Sequence, residues 1–400
     1  MNSNGRSQAL SATIAGAFSR GDRTGLGRWF STIDRTLLLI IIALIGCGVL
    51  AVAAASPAAA HRLSGARFHY DDLYFLKRQI GWVIAGVSVM FGVSLLTPAW
   101  ARRLALGGTF FCLLALVYVL TTGADANGAQ RWIDLRFTRI QPSEFFKPMF
   151  IVTTAWLLAL RFEDRSLPTM QLSFGMLVLV AALLVKQPDY GQTALIVMVW
   201  LVQALLAGMS LWIVGGIVGA GLLGLGVAYL TVAHVTDRIN KFVLGIGDTE
   251  QIEKALDCFR AGGLFGAGPG EGVMKFRLPE PHTDYIFSVI GEEFGILACL
   301  LIAGLYLAFV ARVYVTMLDE EDPFLFLAAT GLATQFGLQA TINMMVNLNL
   351  MPSKGMTLPL ISHGGSSFIA LCLGLGLLLA FTRRNPFLKA SPYVERWRAG

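Results

Sequence analysis

The sequence predicts an all-α polytopic membrane protein, with about ten transmembrane helices and a large extracytoplasmic loop between the seventh and the eighth. Its composition is the first reason: 55% of its 400 residues are hydrophobic and only 14% are charged, whereas soluble domains carry roughly 25% charged residues. The second reason is a series of long apolar segments, because a helix needs about 20 apolar residues to cross a bilayer. Strands of a closed β-barrel would instead alternate with a period of two residues.

The apolar segments give the predicted order of the membrane helices. They fall at about residues 36–55, 79–97, 103–121, 145–160, 169–185, 190–207, 211–232, 285–311, 323–348 and 365–382. An even number of crossings places both termini on one side, and the five Lys or Arg residues in each tail favour the cytoplasm for that side. The remaining basic residues do not follow the rule that Lys and Arg are concentrated on the cytoplasmic side of the membrane. Those in the outer loops therefore indicate an anionic ligand or anionic lipid headgroups.

The chain is expected to form one membrane domain, 36–382, between two cytoplasmic tails. The front tail, 1–35, is rich in Ser, Gly and Arg and is expected to be partly disordered. The C-terminal tail, 383–400, is short and basic. Long outer loops are predicted at 122–143, 233–284 and 349–363. Loops of this length are usually functional or disordered, and their Gly, Pro, aromatic and charged residues favour function.

Carboxylates stand at the start of the eighth predicted span. Asp284, Ser288 and Glu292 are four residues apart and would share one face of a helix. On a straight helix Glu292 would lie about 12 Å below Asp284. Buried carboxylates are costly, which favours a functional role for them. For Asp284 the alternative is a helix N-cap.

Two further polar patterns have a structural interpretation. On the ninth span Gln335, Gln339, Asn343 and Asn347 repeat every four residues, a pattern typical of hydrogen bonding between membrane helices. At the start of the fourth span, Glu144 and Lys147 are three residues apart, which permits an ion pair.

Several motifs together resemble the SEDS family (shape, elongation, division and sporulation). They run in the family's order from about residue 35 to 385: "NGAQRWID", "QPSEFFK", "KQPDYGQTA", "GGLFGAGPGEGVMKFRLPEPHTD", "LPEPHTDYIFSVIGEEFG" and "LPLISHGGSS". The stretch "MPSKGMTLPLISHGGSS" is more similar to the division branch than to the elongation branch, which is the nearest alternative within the family.

This resemblance implies an inverting peptidoglycan glycosyltransferase that polymerises lipid II, the undecaprenyl-pyrophosphate-linked disaccharide, at the outer face of the cytoplasmic membrane during septal cell-wall synthesis. The family's essential acid falls on Asp284, its functional tryptophan on Trp132, and its paired acid and lysine on Glu144 and Lys147. The implied partners are a class B penicillin-binding transpeptidase of the FtsI type and other membrane proteins of the division machinery. Mg²⁺ or Mn²⁺ is expected, with no organic cofactor and no nucleic-acid partner.

The chemistry requires a base for the attacking sugar hydroxyl and positive groups for the leaving pyrophosphate. Asp284 is the candidate base, and a divalent cation near it is expected from phosphate chemistry. The candidates for substrate binding are Arg131, Trp132, Lys275, Arg277, His282, Lys354, His363 and Ser366. The candidates for a supporting role are Glu144, Lys147, Glu280, Ser288 and Glu292. The Gly-rich run 262–272 lacks the Walker motif, so a flexible outer loop that approaches substrate is expected there.

Two other classes of function stay open at this point. A lipid II flippase or other transporter would use the polar residues of 335–347 together with Glu292. Against it, the ionisable residues cluster at the outer surface, whereas transporter sites usually lie near the midplane. A non-catalytic scaffold would instead recruit division proteins through its tails.

Overall fold

The fold is helical throughout its membrane domain. The computed structural model describes residues 25–64, 70–122, 124–126, 129–134, 139–231, 250–352 and 355–383, together with positions 236 and 240. Residues 1–24, for which disorder is predicted, and residues 384–400 of the C-terminal tail lie outside the described residues. The helices are α1 (Gly25–Thr32), α2 (Arg35–Leu63), α3 (Tyr74–Ser94), α4 (Pro98–Thr122), α5 (Pro142–Glu163), α6 (Thr169–Lys186), α7 (Tyr190–Leu206), α8 (Leu211–Thr231), α9 (Glu250–Gly262), α10 (Ile286–Met317), α11 (Pro323–Asn347) and α12 (Ser366–Phe381).

Each of the ten predicted spans coincides with a helix, α2 to α8 and α10 to α12. By length and composition, seven of these helices can cross a membrane: α2, α4, α5, α6, α8, α10 and α11. Two more, α7 and α12, are apolar but shorter, with 17 and 16 residues. The protein is thus a multi-pass membrane protein, and ten crossings stay a prediction.

The centre of the bundle is formed by α5, α11 and α12, whose side chains are mostly buried. Close approach between α3 and α12 depends on glycine, because a Cβ on Gly376 would lie 2.7 Å from the backbone oxygen of Met90. At the periphery, none of the most apolar window of α8 is buried. The central helices therefore hold the polar residues, and α8 presents apolar side chains outward.

Helix α10 is bent sharply at Gly295, which has φ 80° and ψ 177°. Twelve residues of a straight helix span about 18 Å, yet the Cys299 thiol lies 3.9 Å from the carbonyl oxygen of Phe287. The first segment, 286–294, therefore folds back toward the second, 296–317. The expected descent of 12 Å from Asp284 to Glu292 stays a prediction, because the bend lies beyond Glu292.

The Gly-rich outer loop fills this bend. The amide of Ala267 donates to the carbonyl of Glu292 at 2.8 Å, and the amide of Ile296 donates to the carbonyl of Gly263 at 3.0 Å. A Cβ on Gly262 would lie 2.0 Å from the carbonyl oxygen of Gly291. The loop thus satisfies backbone groups that the broken helix leaves open. Its backbone is hydrogen-bonded to the bend, and its approach to substrate stays a prediction.

Two of the three long outer loops contain regular structure that the prediction did not include. Residues of the first form a three-stranded antiparallel sheet of β1 (Ala124–Ala126), β2 (Ala129–Asp134) and β3 (Arg139–Ile140). The second contains α9 and a 3₁₀ turn at Met274–Arg277.

The loop between α11 and α12 reaches into the bundle. The hydroxyl of Tyr306, within the second segment of α10, donates to the carbonyl of Pro359. A Cβ on Gly48, near the middle of α2, would lie 2.3 Å from the carbonyl oxygen of Leu360. We refer to the end of the bundle that carries this loop as the Asp284 end. The opposite end, where Arg312 donates to Asp34 at 2.8 Å, is the Asp34 end.

Candidate active site

The backbone of Asp284 is held from one side by the asparagines of α11. Its carbonyl accepts hydrogen bonds from Asn343 Nδ2 at 3.1 Å and Asn347 Nδ2 at 2.9 Å. The Asn347 Oδ1 accepts from the amide and the hydroxyl of Ser288 at 3.1 and 2.8 Å. The predicted hydrogen bonding of this polar stripe is therefore confirmed for Gln339, Asn343 and Asn347. In addition, the two asparagines fix the segment that carries the candidate base, and the supporting role of Ser288 stays a prediction.

From the other side, the loop between α11 and α12 closes on the same segment. The Ser362 hydroxyl donates to the carbonyl of Thr283 at 2.7 Å, and the amide of His363 donates to the carbonyl of His282 at 2.9 Å. Gly355 faces the carboxylate itself, since a Cβ there would lie 3.7 Å from Asp284 Oδ2. The backbone around Asp284 is thus clamped between α11 and this loop.

The carboxyl of Asp284 is partly exposed in an otherwise packed environment. Loss of solvation raises its pKa to about 7, and the negative charge of Glu280 contributes in the same direction. Helix α10 begins at Ile286 after Tyr285, without a side-chain cap, so the N-cap alternative for Asp284 is wrong. Glu280 accepts a hydrogen bond from the Thr283 hydroxyl at 2.9 Å and lies beside the candidate base, as predicted.

The two candidate histidines form an aromatic cluster with Phe75 of α3. Ring centroids lie 4.2 Å apart for His282 and Phe75, and 5.6 Å apart for His282 and His363. Burial lowers the pKa of His282 to about 4 and that of His363 to about 3. Both rings are therefore neutral at pH 7 and do not supply positive charge to a phosphate. His363 Nδ1 donates a hydrogen bond to Gln79 Oε1 at 3.0 Å.

Lys275 does not have the predicted substrate-binding role. Its ammonium is 1% exposed, forms an ion pair with Glu293 and donates to the carbonyl of Ala54 at 3.0 Å. Next to it, Glu292 accepts the backbone amides of Met274 and Lys275 at 2.6 and 2.7 Å. These contacts join the 3₁₀ turn to the first segment of α10. Glu292 thus binds the backbone of the 3₁₀ turn, while its supporting role in the reaction stays a prediction. Glu293 is a partner that the sequence reasoning missed.

Arg131 holds a neighbouring turn rather than standing free for substrate. Its Nε donates to the carbonyl of Gln187 at 3.1 Å, another guanidinium nitrogen donates to the carbonyl of Pro188, and Nη1 lies 3.9 Å from Asp189 Oδ1. Burial raises the pKa of Asp189, and the charge of Arg131 opposes that effect. The adjacent Trp132 is half-buried in β2. The predicted substrate contact of Arg131 therefore stays a prediction, and its guanidinium already has protein partners in this turn.

The predicted pair of Glu144 and Lys147 is confirmed. Lys147 Nζ lies 2.8 Å from Glu144 Oε2, and both side chains are buried. Gln192 donates to Glu144 at 2.6 Å, and Lys147 donates to Gln339 Oε1 at 3.1 Å. Gln339 in turn donates to the carbonyl of Thr357 at 3.1 Å. This network links α5 and α7 through α11 to the loop that closes over Asp284.

Of the predicted cations, Arg277 is the one that the structure leaves accessible. It is exposed and has no ion pair within the described part of the chain. Lys354 lies outside the described residues. Arg78 of α3 was missed by the sequence reasoning; it is exposed, and its charge contributes to the lowered pKa of His363. Ser366 is buried at the start of α12, where its hydroxyl has no partner among the described residues.

The described residues contain no group of three His, Cys, Asp or Glu side chains able to hold a metal ion. Mg²⁺ usually binds through one or two carboxylates together with substrate phosphates. Asp284 and Glu280 are the carboxylates of this loop. The described residues therefore do not form a dedicated metal site.

Fold and site together define a class: a multi-pass helical membrane protein with a clamped, partly exposed carboxylate at one end of its bundle. Residues 35–386 match the model of the FtsW, RodA and SpoVE family, described as cell cycle protein. The chain belongs to this family.

Curated relatives match almost the whole chain. It is 40% identical over 382 residues to a probable peptidoglycan glycosyltransferase FtsW of Caulobacter vibrioides, which covers 94% of this chain and 96% of that protein. A protein of the same name from Trichlorobacter lovleyi is 37% identical over 365 residues, covering 86% and 92%.

Two solved structures are similar in fold. A chain of a peptidoglycan synthase complex, described as coordinating polymerization and crosslinking, superimposes with a TM-score of 0.71 at 25% identity, covering 88% of this chain and 97% of that one. The rod shape determining protein RodA of Thermus thermophilus gives a TM-score of 0.62 at 26% identity, with 88% and 96% covered.

Proposed function

We propose that this protein is an inverting peptidoglycan glycosyltransferase that polymerises lipid II at the outer face of the cytoplasmic membrane. Its relatives carry the name of that activity. The observation that supports it most directly is the carboxyl of Asp284, which is partly exposed, fixed through its backbone, and has a pKa of about 7. A general base works best when its pKa is close to the working pH.

In the proposed reaction a hydroxyl of one sugar attacks the anomeric carbon of another that carries the pyrophosphate. A carbon–oxygen bond forms to the attacking sugar as the bond to the pyrophosphate breaks, and the pyrophosphate leaves with the electron pair. The ionised carboxylate of Asp284 takes the hydroxyl proton. Its two clamps restrict the backbone, so the carboxylate is oriented before substrate arrives.

Arg277 and Arg78 are the proposed contacts of the departing pyrophosphate. Both are exposed near the loop that carries Asp284, whereas Lys275 and Arg131 have protein partners. Positive charge near the leaving group stabilises the charge that develops on it. Mg²⁺ or Mn²⁺ stays a proposal in which the ion is bound chiefly by the pyrophosphate, and no step above depends on it.

The partner and the location belong to the same proposal. A solved relative in fold is part of a complex that couples polymerization to crosslinking, which supports a class B penicillin-binding transpeptidase as partner. The predicted contacts are the outer loops, α10 and α11. The FtsW names of the relatives support a role in division, at the septum, with both termini in the cytoplasm.

Transport and scaffolding receive less support. Four of the five polar groups expected to line a transport path have protein partners: Glu292 accepts two backbone amides, and Gln339, Asn343 and Asn347 are hydrogen-bonded to loop or helix groups. A scaffold role gives no reason for a carboxylate that is fixed by two clamps and has a pKa of about 7.

The test is polymerisation of purified lipid II by the full chain, in complex with a transpeptidase whose crosslinking site is inactivated, with Mg²⁺ present. We expect polymer from the wild type and from Asp71→Asn, a change at an exposed acid paired with Lys77. From Asp284→Asn we expect none. Equal polymer from Asp284→Asn would remove Asp284 as the base. No polymer from a confirmed wild-type complex would contradict the proposed activity.

A further inference from the structure

A large cavity lies at the Asp34 end of the bundle, away from the candidate active site. Its volume is about 900 Å³, and it is lined by the 165–168 loop, by α6 and by the start of α8. Helix α5 begins at Pro142 beside the Asp284 site and runs 22 residues to Glu163, a length of about 33 Å. The cavity and Asp284 therefore lie at opposite ends of the molecule.

The walls of the cavity are apolar. Phe174 of α6 packs against Trp200 of α7, with ring centroids 5.5 Å apart and ring planes tilted by 49°. Ile213 and Ile217 of α8 also line the cavity. Protein interiors are close-packed, so a gap of this size between membrane helices is not filled by the protein itself. Its volume falls in the range of sites that hold a small amphiphilic molecule, about 300–1,000 Å³. Inside a bilayer, such walls favour a hydrocarbon chain.

The mouth of the cavity is cationic. Arg161, half-buried in the last turn of α5, and the exposed Arg165 both line it. Neither has an ion pair or hydrogen bond within the described residues. The nearby carboxylate of Asp164 accepts the amide of Ser166 at 2.8 Å. The two arginines lie above apolar walls, at the level where the helices end. This arrangement is complementary to an anionic headgroup followed by an acyl chain.

We propose that this cavity binds one anionic phospholipid from the leaflet at the Asp34 end. The phosphate lies between Arg161 and Arg165. One acyl chain lies between α6 and α8, along Phe174 and Trp200. The bound lipid fills the gap that α8 leaves, and so fixes this peripheral helix against α6 and α7.

Native mass spectrometry of the detergent-purified full chain tests the charge recognition. The protein is titrated with dioleoyl phosphatidylglycerol and, separately, with dioleoyl phosphatidylcholine. We expect tighter binding of phosphatidylglycerol, and a loss of roughly tenfold or more in the affinity of Arg161→Gln/Arg165→Gln for this lipid, since both cationic contacts of its headgroup are removed. The matched control, Arg35→Gln/Arg103→Gln, removes two exposed arginines at the same end but outside the cavity, and its affinity should stay within about twofold.

A second variant tests where the acyl chain binds, without changing the charge of the protein. Gly175 lines the cavity, and a Cβ there would meet nothing within 4 Å. Gly175→Leu should therefore fold normally and weaken phosphatidylglycerol binding by filling the space. Equal binding of both lipids by the wild type, or equal loss in the cavity and control arginine variants, would overturn the headgroup assignment. Unchanged binding by a folded Gly175→Leu would overturn the placement of the chain.

Discussion

At the residue scale, the environment of Asp284 sets the pH dependence of the proposed reaction. Its pKa is raised to about 7, first by loss of solvation and then by Glu280. Only the ionised form can accept a proton. We therefore expect the polymerisation rate to rise with pH from 6 to 8, with a midpoint near 7, measured as initial rates on lipid II at saturating concentration. A midpoint near 4, the ordinary value for aspartate, would contradict a base in this environment.

The same carboxyl should lower stability at high pH. Its pKa is higher in the folded protein than in the unfolded chain, so the favourable contribution holds at low pH and is lost as the pH rises through about 7. Asp284→Asn cannot ionise, and it should therefore raise Tm relative to wild type more at pH 8 than at pH 5, because at pH 5, above the unfolded-chain pKa of about 4, only part of the contribution is lost. Thermal unfolding of both proteins at the two pH values checks this sign. An equal change at both would mean that the effect is not electrostatic.

Asn347 is predicted to act as a positioning residue through the backbone of Asp284. Asn347→Leu removes a hydrogen bond to the Asp284 carbonyl and the acceptor for Ser288. Because the base is displaced rather than removed, kcat should fall by roughly tenfold or more, while KM for lipid II stays within about twofold. Steady-state kinetics separate the two.

A control from the same helix is Gln335→Leu. Gln335 is buried, but no hydrogen bond of its side chain reaches the Asp284 segment. Its kcat should match the wild type. Equal losses in both variants would indicate a general effect on α11 rather than positioning of Asp284.

Whether the sequence identified a site residue depends on how far along the chain its contact partner lies. The spacing of Glu144 and Lys147 on one helix predicted their ion pair, because residues three apart are neighbours on a helix. Lys275 has no such local signal: its partner, Glu293, lies across a loop and a bent helix. Arg78 lies in a different part of the sequence from every site motif. Contacts made by tertiary folding alone were therefore missed or assigned wrongly.

At the element scale, the buried pair of Lys275 and Glu293 joins the 3₁₀ turn to the first segment of α10. Removing one partner of a buried pair leaves an uncompensated charge, which costs about 3–5 kcal/mol. Lys275→Met should therefore lower Tm by several degrees in detergent. Lys77→Met is the control: it breaks an ion pair with Asp71 in which both side chains are more than half exposed, and such pairs contribute about 0–1 kcal/mol. Similar changes in Tm for both variants would contradict the structural role of Lys275.

The bend of α10 shows why a helical pattern did not reveal its geometry. The apolar run from Ile286 to Met317 predicts one continuous helix, because the hydrophobicity of a segment does not depend on whether the helix axis is straight. The positive φ of Gly295 and the backbone of Leu264 and Gly266 against it produce the bend. Gly295 was visible in the sequence, but its partners are 29 or more residues earlier.

At the scale of the whole molecule, the positions of all ten apolar segments were predictable because burial in a bilayer requires long apolar helices. How deeply the loop between α11 and α12 enters the bundle was not predictable, since its polar and apolar residues alternate without a clear period. The same holds for the cavity beside α8, whose walls come from separate helices. Sequence thus located the elements, and packing between them determined the site.

The last prediction concerns the number of membrane crossings, which depends on whether α7 spans the bilayer. Its 17 residues span about 26 Å, slightly less than the hydrocarbon core of about 30 Å. If α6, α7 and α8 each cross, Ser166 before them and Glu271 after them lie on opposite sides of the membrane. Both are exposed. We expect a membrane-impermeant maleimide to label Glu271→Cys in right-side-out vesicles, and Ser166→Cys only after detergent is added.

The wild type is the control for background labelling, since Cys258, Cys299 and Cys372 are buried and Cys47 and Cys112 are half-buried. Labelling of both introduced cysteines from the same side would mean an even number of crossings between them. In that case α7 would not span the membrane, and the cavity lined by Arg161 would face the same compartment as Asp284. Labelling from opposite sides would instead place the lipid cavity and the proposed catalytic carboxylate in opposite leaflets, as the ten-helix arrangement requires.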